Sequence, residues 1–205
     1  LNIYPFGDEY EKLVDIAKEL EQADADAFIV SDLGLIRRLR RCRIETPLHL
    51  STQANCVSSE TVRAYAEFGV RRVNLARELS FEQIRRIQEE LSGKIETEVF
   101  IHGAVCFSYS GRCAMSDYMT GFRANRGECK HPCRYRYAVV EEQRPGQYYP
   151  VFEDQRGLYI FNCKDLALFE WIGRLGEIGV DSFKIEGRMK SVHYVATVAG
   201  LYRRL

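Results

Sequence analysis

The chain has 205 residues, 29 basic against 29 acidic side chains, seven cysteines, four histidines and a hydrophobic share of 46%, enough for one large domain or two small ones with a real core. No apolar stretch approaches the ~20 residues of a membrane helix and no charged segment leads into an apolar signal core, so neither spanning nor secretion is encoded and the chain reads as soluble and cytoplasmic. Balanced charge excludes a globally basic nucleic-acid binder but leaves room for a local basic patch.

The first half alternates two periodicities. An apolar opening, Leu1 to Tyr4, reads as a strand, and Glu9 to Gln22 repeats Tyr10, Leu13, Ile16, Ala17 and Leu20 at helical spacing. Ala27 to Val30 is a short apolar run ending in Ser31 and Asp32, a helix-starting pair before a helix from Leu33 to Leu39. Leu48 to Leu50 ends in Ser51, Thr52 and Gln53, and the helix that follows, about Ser59 to Phe68, stops at Gly69. Val70 to Ala76 ends in Arg77 and Glu78; Ser80 caps a helix from Phe81 to Leu91, with Gln83 at the capping-box position. Glu98 to Ile101 ends in His102 and Gly103. Roughly 103–163 breaks the alternation, and around Arg144, Pro145 and Gly146 it reads as β-hairpin. The unit then returns, with helical spacing from Leu166 to Ile178, a strand from Ser182 to Ile185 ending in Glu186 and Arg188, and a last helix from about Val192.

Strict alternation implies parallel strands with crossover helices, either a doubly wound sheet or a barrel of the triosephosphate isomerase type. Six strands of the series are counted, two fewer than an eight-stranded barrel needs. The chain opens without methionine in what reads as a strand, which suggests a piece lacking its first two units. The organisation expected is therefore parallel β/α units over 1–102, a cysteine-rich insertion over 103–163 and the final units over 164–205, within one domain.

The residues that end the parallel strands are polar, and in such folds these ends converge on one face where ligands sit. Helix capping alone accounts for Asp32 about as well as a substrate role does; it accounts poorly for Gln53, Arg77, His102 or Arg188. Asp32, Gln53, Arg77 and Arg188 are thus candidate substrate contacts, the two arginines for an anionic group, and Glu78, His102 and Glu186 are candidate catalytic groups.

The cysteines fall at Cys106, Cys113, Cys129, Cys133 and Cys163, among glycines in an irregular stretch. In a cytoplasmic chain that clustering favours metal or redox chemistry over disulfides, and four thiolates suffice for an iron–sulfur cluster or for tetrahedral zinc. His102 and His131 are further candidate zinc ligands, and an incomplete site can be closed between two chains of a homodimer. Cys42 and Cys56 read as bystanders. Between Tyr118 and Tyr137, Arg123, Arg126, Arg134 and Tyr135 belong to a basic aromatic patch that suits RNA; offsetting thiolate charge is the equal alternative.

The stretch from Glu98 through His102-Gly103-Ala104-Val105-Cys106, with Ser110-Gly111-Arg112-Cys113 and Ser116, resembles the signature of the collagenase-like peptidase U-32 family. The resemblance extends through Leu50 to Ala54, Ala76 to Ser80, Gly127 to Cys129, Pro132-Cys133 and Lys184 to Arg188. It implies a modified eight-stranded α/β barrel entered here at the third strand. It also implies one of two activities: collagenase-like proteolysis of a peptide, or hydroxylation of a transfer RNA or ribosomal RNA base or of a quinone ring, with a four-iron cluster on cysteines. Zinc is the alternative cofactor, a small aromatic molecule the alternative substrate, and a noncatalytic metal-containing binding domain the third reading. Protease motifs of the usual kinds are missing from the sequence, which favours hydroxylation. Members often carry cysteine at the position of Ala167, whereas this chain has Cys163, so the fourth ligand lies between Cys133 and Cys163.

Overall fold

A computed structural model describes residues 1–106, 108–135, 138–140, 142–150, 165–188 and 190–205. In chain order its main elements are α1 (Tyr10–Gln22), β1 (Phe28–Val30), α2 (Leu33–Arg41), β2 (Leu48–Leu50), α3 (Ser59–Glu67), β3 (Val70–Asn74), α4 (Phe81–Leu91) and β4 (Glu96–Ala104). There follow α5 (Met115–Thr120), β5 (Ala138–Val140), β6 (Tyr148–Pro150), β7 (Asp165–Ala167), α6 (Ile172–Glu177), β8 (Ser182–Ile185) and α7 (Val192–Tyr202). Among the described residues no helix is long and apolar enough to cross a membrane.

The α/β sheet has six strands. β1 to β4 pair in parallel in sequence order, and β8 pairs in parallel with β4. Alternation along the strands sorts the faces: Phe28, Val30, Leu48, Leu50, Val73, Val99 and Ile101 are buried in a core shared with Val14, Ala17, Leu35, Ile36, Leu39, Val62 and Ile87 of the helices. Truncating such a side chain, Leu39→Ala for example, removes about 2–5 kcal/mol of packing.

Helix starts follow capping chemistry. The Ser80 hydroxyl accepts from Gln83 N at 3.4 Å while Gln83 Oε1 accepts from Ser80 N at 2.8 Å, which is the capping box expected from those two residues. Asp32 Oδ1 accepts from Leu35 N at 2.7 Å and from the Tyr10 hydroxyl at 2.8 Å, tying the start of α2 to α1.

Two expectations are corrected. Leu1 to Tyr4 forms no strand: Pro5 follows, Tyr4 N donates to Asn125 O at 3.4 Å, and the Tyr4 hydroxyl donates to Gln53 O at 2.6 Å, so the segment packs on the insertion and the β2 loop. The helix expected from Leu166 to Ile178 is instead β7, a 3-10 turn and the short α6, because β4 pairs with the backbone at its start. β7 pairs antiparallel with His102–Ala104, and Leu168 N donates to Ile101 O at 2.9 Å. Five strands are therefore parallel and the sixth, β7, runs against them. The expected hairpin is present as β5 and β6; residues 151–164, with Cys163, lie outside the described residues.

The Asp32 geometry separates capping from substrate contact. Asp32→Ala should cost about 1 kcal/mol of stability in urea unfolding, and Asp32→Asn, which caps as well, only a few tenths. Equal losses for both variants would contradict the capping role.

Candidate active site

At the C-terminal ends of β2, β4 and β8 lies a cavity of about 340 Å³. Each strand end contributes: Ser51, Thr52 and Gln53 after β2, Ala104 at the end of β4 with Val105 and Cys106 beyond it, Lys184 and Ile185 in β8, and Glu186, Gly187 and Arg188 after that strand. Arg77 enters from beyond β3, and the insertion closes the cavity with Ser110, Cys113, Cys129, His131, Cys133 and Arg134. Two glycines permit the close approaches. A Cβ on Gly103 (φ +110°) would collide with the Glu186 carbonyl, and one on Gly111 (φ +73°) would lie 2.6 Å from Gln53 Oε1.

Cys106, Cys113, Cys129 and Cys133 thus line one cavity, as thiols rather than half-cystines. Cys129 Sγ accepts from the backbone N–H of His131 at 3.4 Å, and Cys106 Sγ accepts from Arg77 Nη2 at 3.3 Å. Soft donors with N–H and guanidinium neighbours suit a thiolate-held iron–sulfur cluster or zinc, so in donor chemistry the residues fit such a group. Among the described residues no three His, Cys, Asp or Glu side chains stand close enough to hold a metal ion, so the thiols share a wall without forming a closed ligand shell.

Cations dominate the remaining wall. Arg77 donates to Ala104 O at 2.6 Å and to the Ser110 hydroxyl at 2.8 and 3.1 Å, and its guanidinium lies 4.7 Å from the Phe100 ring centroid. Arg188 Nη2 donates to Gly127 O at 2.8 Å, Arg134 pairs with Asp165 at 3.1 Å, and Lys184 pairs with Glu98 at 2.9 Å. Glu186 is the carboxylate of the wall: Oε1 accepts from Arg188 N at 3.3 Å, while Oε2 is buried with no partner among the described residues. Gln53 Oε1 and Arg134 Nη2 are buried and unpartnered in the same sense, so three such polar groups surround one cavity. Beside it, an apolar cavity of about 310 Å³ lined by Leu79, Phe81, Ile84, Leu166, Leu168 and Trp171 shares Arg77 and Phe100 as its wall.

Gln53, Arg77, Glu186, Arg188, Arg134, His131 and four cysteines are therefore brought together. Asp32, Glu78 and His102 are not among the cavity's lining residues. Asp32 is the helix cap, Glu78 is exposed, and His102 packs within 5.5–5.8 Å of the Phe169, Tyr194 and Tyr202 rings. Its Nδ1 lies 3.3 Å from the Tyr202 hydroxyl, and burial pushes its imidazole below the ordinary histidine range. Of the basic aromatic patch beyond Arg134, Arg123 and Tyr135 are exposed, Arg123 5.8 Å from the Phe6 ring centroid. Arg126 instead grips both Glu9 oxygens at 2.6 Å and donates to Tyr4 O at 3.1 Å. Sequence reasoning passed over Lys184 and Ser110. A lysine between Phe183 and Ile185 in a strand was the available signal for the first; for the second it was a place in the Ser110 to Cys113 stretch of the signature.

The Arg126 clamp has a pH signature. Its hydrogen bond, aided by the Phe6 N–H, holds the Glu9 carboxyl at about 2, below the ordinary 4.5. A folded value below the unfolded one stabilises above pH 4.5, and that stability is lost as pH falls toward 2. Glu9→Gln should lower the thermal midpoint at neutral pH, and its deficit against wild type should shrink as the buffer is acidified below pH 4.5. A deficit independent of pH would contradict the assignment.

Residues 1–205 match the family model described as peptidase family U32. The chain is 37% identical to tRNA hydroxylation protein P of Escherichia coli over an alignment of 243 positions, covering all of this chain and 53% of that protein. It is 40% identical to tRNA hydroxylation protein P1 of Bacillus subtilis, covering all of this chain and 48% of the relative. To a protein named collagenase from Porphyromonas gingivalis it is 31% identical, over 99% of this chain and 49% of the relative. The chain spans about half the length of these curated relatives. With the family model matched from the first residue to the last, the chain belongs to peptidase family U32.

Proposed function

We propose that the full-length protein acts in the cytoplasm as a hydroxylase of an RNA base, that the sheet is part of the wall of a modified barrel, and that the cysteine-lined cavity is the reaction site. The observation that carries this reading is the convergence of four thiols and four cationic side chains on one cavity. A four-iron cluster held by Cys106, Cys113, Cys129 and either Cys133 or Cys163 would supply electron transfer, which hydroxylation needs and peptide hydrolysis does not. With zinc instead, His131 is the nearer additional donor, since it lines the cavity and His102 does not.

The chain's own residues divide the remaining work. Arg77 and Arg188, whose described hydrogen-bond acceptors are carbonyls, a hydroxyl and a thiol, hold negative charge on the substrate. Gln53 Oε1 accepts from, and Arg134 Nη2 donates to, polar atoms of the substrate, and Glu186 Oε2 takes or orients a proton. The apolar recess beyond Arg77 and Phe100 has the lining to shelter a base or another small aromatic ring from water. Exposed Arg123 and Tyr135 extend the contact with RNA outside the cavity. Two relatives are named for tRNA hydroxylation. The peptidase reading has the collagenase relative in its favour, but His102, the base a cysteine nucleophile would call on, is held among aromatic rings.

The test is full-length protein carrying Cys113→Ala, expressed in cells lacking the wild-type copy. Nucleoside mass spectrometry of total RNA should show a hydroxylated nucleoside restored by wild type and absent with the variant. Gelatin cleavage by wild type that disappears with the variant, with no change in any nucleoside, would replace this reading with the peptidase one.

A further inference from the structure

Lys184 has a place in the cavity that the signature cysteines and strand-end arginines do not explain. It lies within β8, and its side chain lines the same cavity as Arg77, Arg134 and Arg188. Behind it, Glu98 Oε1 accepts from Nζ at 2.9 Å, and the Phe100 ring centroid lies 5.6 Å away. The carboxylate is already heavily used. Oε1 also accepts from Asn74 Nδ2 at 2.6 Å, and Oε2 accepts from the Ser182 hydroxyl at 2.9 Å.

Burial pushes the Glu98 carboxyl up, but Lys184, Ser182 and Asn74 outweigh it and hold the group below its ordinary value. A carboxylate supplied with three donors and kept charged is a poor proton shuttle and a good fixed counter-ion. It sets the position of the ammonium. An ammonium has three N–H donors, and among the described residues Glu98 is the one acceptor seen, which leaves donors for the cavity. Arg77 and Arg188, by contrast, show no carboxylate side chain as acceptor among the described residues, so two guanidinium groups stand on the same wall as a pre-positioned ammonium. That combination suits an oxyanion.

We propose that Lys184 contacts an oxyanion of the substrate, a phosphate ester or a carboxylate, and that Glu98 is its positioning residue. This rests on the cavity being the substrate site, as in the function proposed above, but not on the identity of the reaction.

The experiment is calorimetric titration of the full-length protein with two probes, uridine 5′-monophosphate and malonate, which separate a phosphate ester from a carboxylate source. One of them should bind wild type. Lys184→Met should weaken it about tenfold or more, the scale of one lost charge-assisted hydrogen bond, and Lys184→Arg should stay within about threefold. Glu98→Gln should weaken binding several-fold alone and add nothing in the Lys184→Met background, because a residue acting through Lys184 has no effect once Lys184 is gone. The double variant also removes both charges, so it keeps the test valid where Lys184→Met alone strands Glu98 and fails to fold. Wild-type affinity in Lys184→Met, additive losses in the double variant, or no binding of either probe to wild type would overturn the proposal. Probe binding that falls with Lys184→Met, in a protein that hydroxylates no RNA, would sink the functional reading and leave this one standing.

Discussion

The missing side chain at position 103 lets two distant parts of the chain build one cavity. Gly103 sits in β4 at φ +110°, where a Cβ would collide with the Glu186 carbonyl, and Glu186 N donates to His102 O at 2.8 Å. Only with the end of β8 lying this close to β4 can Glu186 and Arg188 face Cys106, which follows three residues after Gly103. The same strand carries Glu98, which anchors Lys184, and its end captures β7. β4 is therefore the element on which sheet, insertion and site all converge, and its glycine is the residue that any side chain would displace.

One face of the sheet is paid for by hydrophobic burial under the helices, whereas the other carries charge inside the strands. Arg72 pairs with Glu96 at 2.6 Å and Lys184 with Glu98 at 2.9 Å, and the imidazole of His49 is held below its ordinary range by burial first and the Arg72 charge second. Half-buried ion pairs of this kind add little net stability, because desolvation offsets much of the attraction. They do hold side chains in fixed directions, which an apolar replacement would not. On this face, then, charged side chains stand where the opposite face has the apolar core.

Much of this was legible in the residues because local chemistry decided it. Ser80 with Gln83, Gly69 after α3 and the apolar runs of β1 to β3 and β8 each specify their element within a few positions. The misread segments are those where tertiary partners outbid local pattern. Leu168, Ile172 and Leu175 stand at spacings that suit a helix, yet β4 offers the start of this segment a ladder; Leu1 to Tyr4 is apolar, yet its polar atoms are claimed by Asn125 and Gln53. The cavity was legible from strand ends and clustered cysteines, but not which strand-end residues would face it. Asp32 and His102 satisfied the same rule as Gln53 and Arg77 and were drawn elsewhere, one by a helix terminus, the other by an aromatic cluster. Lys184 was hidden because a charged residue inside a strand gains meaning only from its neighbour across the sheet.

The central claim is that four thiols on one cavity act together on one bound group. Iron, acid-labile sulfide and zinc measured on anaerobically purified full-length protein test it directly, with Cys113→Ser purified in parallel. Wild type should carry thiolate-bound metal, iron with matching sulfide, and the variant should lose it. A wild-type protein with neither iron nor zinc, whose Cys106, Cys113, Cys129 and Cys133 alkylate at the rate of exposed Cys42, would contradict it.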